Sequence, residues 1–99
     1  MILAIYVDFN NRERLPDGEQ AVAIRIGRAN PDALAEKLEC GMKLILYDED
    51  IRCDGVLRLG KCIDGWVADI VPASIRQIAP GEFERLRVQT KRAAMRVAR

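Results

Sequence analysis

Apolar and polar residues alternate with period two over much of the first eighty positions. Leu3, Ile5, Val7 and Phe9 alternate with Ile2, Ala4, Tyr6 and Asp8, which predicts a strand. A polar run follows, from Asn10 to Gly18, with a Pro-Asp-Gly turn signal at Pro16-Asp17-Gly18. Val22, Ile24 and Ile26 then alternate with Ala21, Ala23 and Arg25, a second strand that would pair with the first as a long-looped hairpin. Gly27 to Asn30 interrupts the alternation. Asn30 suits a helix cap, Pro31 a first turn and Asp32 the N-terminal dipole end. Leu34 and Leu38 share a face at i, i+4, and Gly41 suits a stop. The spacing predicts a short helix near 31–39.

Three further strands are expected. Met42, Leu44 and Leu46 alternate with Lys43, Ile45 and Tyr47; an acidic turn, Asp48-Glu49-Asp50, follows. Ile51, Cys53, Gly55, Leu57 and Leu59 alternate with Arg52, Asp54, Val56 and Arg58, the cleanest amphipathic strand in the chain. After a turn over Gly60 to Gly65, Trp66, Ala68 and Ile70 alternate with Val67, Asp69 and Val71, and Pro72 stops the ladder. Ser74 to Ile78 reads as a last short strand after a single helical turn. The class is therefore α+β, mainly β. The expected architecture is a small antiparallel sheet of five to six strands, SH3-like or a partly open β-barrel. That likeness is one of rhythm; no family motif carries it, and such barrels host many functions.

From residue 81 the period changes. At about 100° per residue, Phe83, Leu86, Thr90, Ala94 and Val97 fall on one stripe. Arg85, Arg92, Arg96 and Arg99 lie nearly opposite, with Arg87 and Lys91 flanking the stripe. Glu82 and Glu84 occupy the first turn, where acids are favoured. The chain thus divides into a β-rich domain over 1–80 and a basic amphipathic helix over 81–99, packed on that domain or on a partner. The net charge of +1 hides this division. Residues 81–99 hold six basic against two acidic side chains, or +4; residues 1–80 hold ten against thirteen, or −3.

Both faces of the expected sheet carry apolar residues. If Leu3, Val22, Leu44, Leu57 and Trp66 point inward, then Ile2, Tyr6, Ile45, Tyr47, Val56, Val67 and Val71 point outward. That is too apolar a face for full solvation. A helix of the chain or a second subunit is expected to cover it. Tyr6, Ile45, Tyr47 and Val67 are the candidate partner surface. Arg85, Arg92, Arg96 and Arg99 are the candidate nucleic-acid contacts, one arginine face that could follow phosphates. The aromatic interleaving of a stacking platform is missing.

Chemistry is sparse. The chain has no histidine, which removes the commonest general base near neutral pH and the commonest metal ligand. No phosphate-cradling glycine motif occurs. The one serine, Ser74, has no activator in its neighbourhood of sequence. Cys40, Cys53 and Cys62 are odd in number and form no C-x-x-C pair; they read as free thiols in a reducing cytoplasm. Asp48, Glu49, Asp50 and Asp54 lack the EF-hand spacing. Nothing in the spacing of Asp54, Asp64 and Asp69 brings them together as an acid/base pair. No stretch approaches the ~20 apolar residues of a membrane span, and the N-terminus does not resemble a signal peptide. The expectation is a non-enzymatic module without catalytic residues, metal, cofactor or small-molecule substrate. Its partner would be itself or another protein, with nucleic acid as the alternative.

Overall fold

A computed structural model describes residues 2–9, 21–27, 30–61 and 65–97, of which 96 and 97 by their backbone alone. The predicted 10–18 turn, Cys62, Asp64 and Arg99 lie outside the described residues, as does the side chain of Arg96. The strands are β1 (Leu3–Tyr6), β2 (Ala21–Ala23), β3 (Lys43–Tyr47), β4 (Ile51–Leu59), β5 (Trp66–Ile70) and β6 (Arg76–Gln77). One 3-10 helix spans Asp32–Lys37, a second Pro72–Ser74, and α1 covers Glu82–Val97.

The strands form one mixed sheet in the order β1-β3-β4-β5-β2, with β6 beside the start of β4. The sheet is not closed. β3, β4 and β5 are an antiparallel meander. β4 is long enough to serve two partners along one side: Gly55–Leu59 pair with β5, and Ile51–Arg52 pair with β6. The second 3-10 helix makes the step between them. Ser74 fixes that step, its hydroxyl donating to Val71 O at 2.6 Å and accepting from Asp54 N–H at 2.7 Å.

The expected hairpin of β1 with β2 does not form. β1 runs parallel to β3 at one edge, Leu3 opposite Leu44 and Ile5 opposite Leu46. β2 pairs antiparallel with β5 at the other edge. The physical reason is burial: Leu3, Ala4 and Ile5 are all buried, so β1 needs cover on both faces, the habit of parallel strands. β2 is also shorter than its alternation implies, and Ile24 and Ile26 continue as irregular chain packed on the core. The helix near 31–39 is a 3-10 helix that buries Leu34 without a side-chain cap.

The inner face is aliphatic. Leu44, Leu46, Leu57, Ile5 and Val22 are buried there with Leu34. Gly55 in mid-strand makes this packing possible. A Cβ at that position would lie 2.6 Å from Leu46 Cδ1, so the absent side chain is where Leu46 sits. The outer face carries a second, smaller cluster of Ala4, Tyr47 and Leu86, with Tyr6, Ile45, Ile78 and Phe83 against it. α1 joins the two layers: Leu86 belongs to the outer cluster and Ala94 to the inner one. The helix thus crosses the open edge of β1 and packs on the first 3-10 helix as well.

Candidate functional site

The junction before α1 is built by a Pro-Gly turn. Glu82 N–H donates to Ala79 O at 3.0 Å, and Gly81 has φ 80°, the left-handed position that a type II turn reserves for glycine. Glu82 is buried. Its carboxylate accepts from Ala79 N–H at 2.9 Å, from Arg52 Nη1 at 2.6 Å and from both Arg76 terminal nitrogens, the shorter at 2.7 Å. The Arg76 bonds, then that amide and Arg52, pull the Glu82 pKa down to about 2. The cluster ties α1 to β4 and β6. In the sequence Glu82 shows only a favourable place at the helix dipole, because pairing across β4 and β6 has no local signal.

Beyond this anchor, Tyr6, Tyr47 and Phe83 meet edge to face, with ring centroids 5.8 to 6.3 Å apart, the arrangement favoured by ring quadrupoles. Arg87 lies over the Phe83 ring at 5.7 Å. The Tyr6 hydroxyl donates to Glu49 at 2.9 Å. Partial burial, that bond and the acidic β3–β4 turn push its pKa up to about 12. Tyr47 Oη lies 2.9 Å from Thr90 Oγ1. Burial raises the Tyr47 pKa, opposed by that bond.

The candidate partner surface is therefore mostly internal. Tyr47 is 1% and Val67 0% exposed, while Tyr6 and Ile45 are half-buried in the cluster that Leu86 and Phe83 complete. The apolar outward positions there are satisfied within the chain. Of the four arginines proposed to meet nucleic acid, Arg85 and Arg92 are exposed on α1.

The edge of β1 that faces away from β3 is also occupied. Gln89 Nε2 donates to Ile2 O at 2.7 Å, and the Thr90 hydroxyl to Ala4 O at 2.8 Å. The Asn30 amide accepts from Tyr6 N–H at 2.9 Å and donates to Tyr6 O at 2.8 Å and Arg25 O at 2.9 Å. Asn30 is thus not the helix cap its neighbours suggested. It stands in for a neighbouring strand. Side chains have replaced the strand that an open edge would otherwise recruit.

Along this edge runs an open groove of about 750 Å³ between α1, the start of β1 and the first 3-10 helix. Ile2, Leu3, Met42, Val88 and Ala93 give it apolar walls. Lys37, Arg85 and Arg92 add three cations against one carboxylate, Glu84. Ile2 is 48% and Val88 45% exposed, and Met95, two turns beyond Val88, is 72% exposed. Val88 and Met95 went unremarked in the sequence because they lie opposite the stripe, among the arginines; their position on the helical wheel was the available signal.

Two of the carboxylates raised as chemistry, Asp48 and Asp69, hold the fold together. Asp48 Oδ1 accepts from the Asp50 and Ile51 amides at 2.7 and 2.9 Å, closing the β3–β4 turn. Asp69 receives two bonds from Arg58 across the β4–β5 ladder. Among the described residues no group of three His, Cys, Asp or Glu could hold a metal ion. Cys40 is exposed and Cys53 buried. No helix among the described residues is long and apolar enough to cross a membrane. No protein-family model, curated protein or solved structure matches this chain.

Proposed function

We propose that this chain is a non-enzymatic interaction or assembly module, an open variant of the small SH3-like barrel rhythm, whose working surface is the groove beside α1. The observation that carries this reading is the groove itself: large apolar side chains stay exposed there, although the same fold buries the apolar outer face of β1 and β3. Exposed apolar patches rimmed by polar groups mark interaction sites. Ser74, Asp48 and Asp69, three of the side chains that could have suggested catalysis, make bonds within the fold.

Panning a random peptide library on the wild-type chain, with counter-selection on Val88→Asp, tests the reading. Enrichment of peptides that require Val88 is the expected result. A library that yields none would remove the groove as a working surface. Sedimentation over a wide concentration range shows whether a second copy fills it.

The second reading is nucleic-acid binding through Arg85 and Arg92, exposed two turns apart on one helix face. It expects salt-dependent binding of a mixed RNA/DNA pool that disappears in Arg85→Glu/Arg92→Glu. Against it, Val88 and Met95 occupy the same exposed side of α1, where a phosphate-tracking surface has no use for them.

A further inference from the structure

We infer that the groove takes an acidic amphipathic helix of another protein. This inference rests on the interaction reading and names the chemistry of its occupant. Two independent features of the edge lead to it.

The first is what the groove refuses. It lies beside an edge strand, the usual invitation to strand addition, in which an extended peptide gains affinity from main-chain hydrogen bonds. Here the outward carbonyls of Ile2 and Ala4 and both outward groups of Tyr6 already hold Gln89, Thr90 and Asn30. An extended segment laid along β1 would find those acceptors taken and leave its own amides without partners, each one buried weakening its binding. A helix bonds its main chain internally and avoids that cost.

The second is what the groove offers. On α1 its lining runs from Glu84 to Ala93, about 14 Å at the helical rise. Anchors at i, i+3 or i+4 and i+7 of a docked helix span about 10 Å and fit that length. Ile2, just before β1, Met42, just before β3, and Val88 and Ala93 on α1 supply apolar contact. Arg85 and Arg92 flank Val88 on α1, and Lys37 faces from the 3-10 helix. Three cations around an apolar trough select carboxylates on the flanks of the incoming helix. Glu84 at one end disfavours an acid there, so the occupant's acidic flank is directed toward Arg92 and Lys37.

Fluorescence anisotropy with defined peptides tests this. The probe is a labelled peptide of about 15 residues, long enough for a marginal helix, with leucines at i, i+3, i+4 and i+7 and glutamates on the flanks. Controls carry a central proline or lysines in place of the glutamates. Binding by the acidic helix is expected, weaker by about tenfold or more for either control. Val88→Asp, at an exposed position, should abolish it. In Arg85→Glu/Arg92→Glu the preference should turn toward the lysine peptide, a result that misfolding cannot mimic. Equal binding of the proline peptide would overturn the inference in favour of an extended occupant. A wild-type dimer dissolved by Val88→Asp would assign the groove to a second copy; that overturns the acidic helix but leaves the interaction reading standing. Binding of duplex DNA that ignores Val88→Asp, with no peptide bound, would overturn both.

Discussion

The two faces of the sheet are held by different means. The inner face is aliphatic side chains packed on one another, with Leu44, Leu46 and Leu57 buried in the middle. The outer face under α1 is aromatic and polar: three rings meet edge to face, Tyr47 and Thr90 share a hydrogen bond, and Glu82 holds two arginines. Dispersion and burial stabilise the first without fixing direction. The second fixes where the helix lies, because rings and hydrogen bonds have preferred geometries. Stability resides mainly inside, and the placement of the groove depends on the outside.

The strongest way to sharpen this contrast is Leu57→Ala. It removes a fully buried inner side chain and should cost about 2–5 kcal/mol in chemical denaturation. Its cooperative transition should stay single. A cost below that of any outer-face change would break the comparison.

Thr90→Val comes next. The Thr90 hydroxyl has one proton and lies within reach of the Ala4 and Leu86 carbonyls, so Tyr47 acts as donor to it. Valine keeps the shape and leaves Tyr47 Oη and Ala4 O unpaired. The expected loss is about 1–3 kcal/mol. Pairing it with Tyr47→Phe in a double-mutant cycle should show coupling; simple additivity would mean the two groups act independently.

Acid isolates the Glu82 anchor. Its pKa is lowered from 4.5 to about 2. The stabilisation is therefore complete above 4.5 and is lost as pH falls from there through about 2. Denaturation curves of wild type and Glu82→Gln should differ above that window and converge below it. A difference that persists at the acid end would mean the charge is not the source.

The smallest effect belongs to Tyr6→Phe. The bond to Glu49 is exposed, so the cost should be under about 1 kcal/mol. In the wild type, absorbance titration should place one tyrosine near pH 12, and the mutant should lack that step. Because this pKa is raised from 10, by burial first and the Glu49 bond second, the stabilisation of the neutral phenol is present below pH 10 and lost as pH rises through about 12.

The β3–β4–β5 meander was legible in the chain because each strand alternates cleanly and short turns join them. The helix and its buried stripe were legible too: Leu86, Thr90 and Ala94 are buried where the 3.6-residue period puts them. Strand partnership was not, since period two says which face a residue occupies and not which strand lies beside it. The apolar outer residues of β1 were the only hint of its parallel position. Asn30 was misread for a related reason. Local hydrogen bonding makes asparagine a good cap, and nothing local announces a partner 24 residues away. The groove was half visible: Ile2, Arg85 and Arg92 were singled out, while Val88, between the two arginines, was not.

Asn30 is followed by Pro31. Asparagine side chains in proteins lose ammonia with time when the next residue's backbone nitrogen attacks the amide, turning it into an acid. Proline has no backbone N–H to lend to that reaction. Were Asn30 to become an aspartate, one nitrogen that now donates to two carbonyls would be replaced by an anionic oxygen repelled by both. The neighbour in sequence thus closes this route by which the guard of the sheet's edge would turn from a donor into an anion.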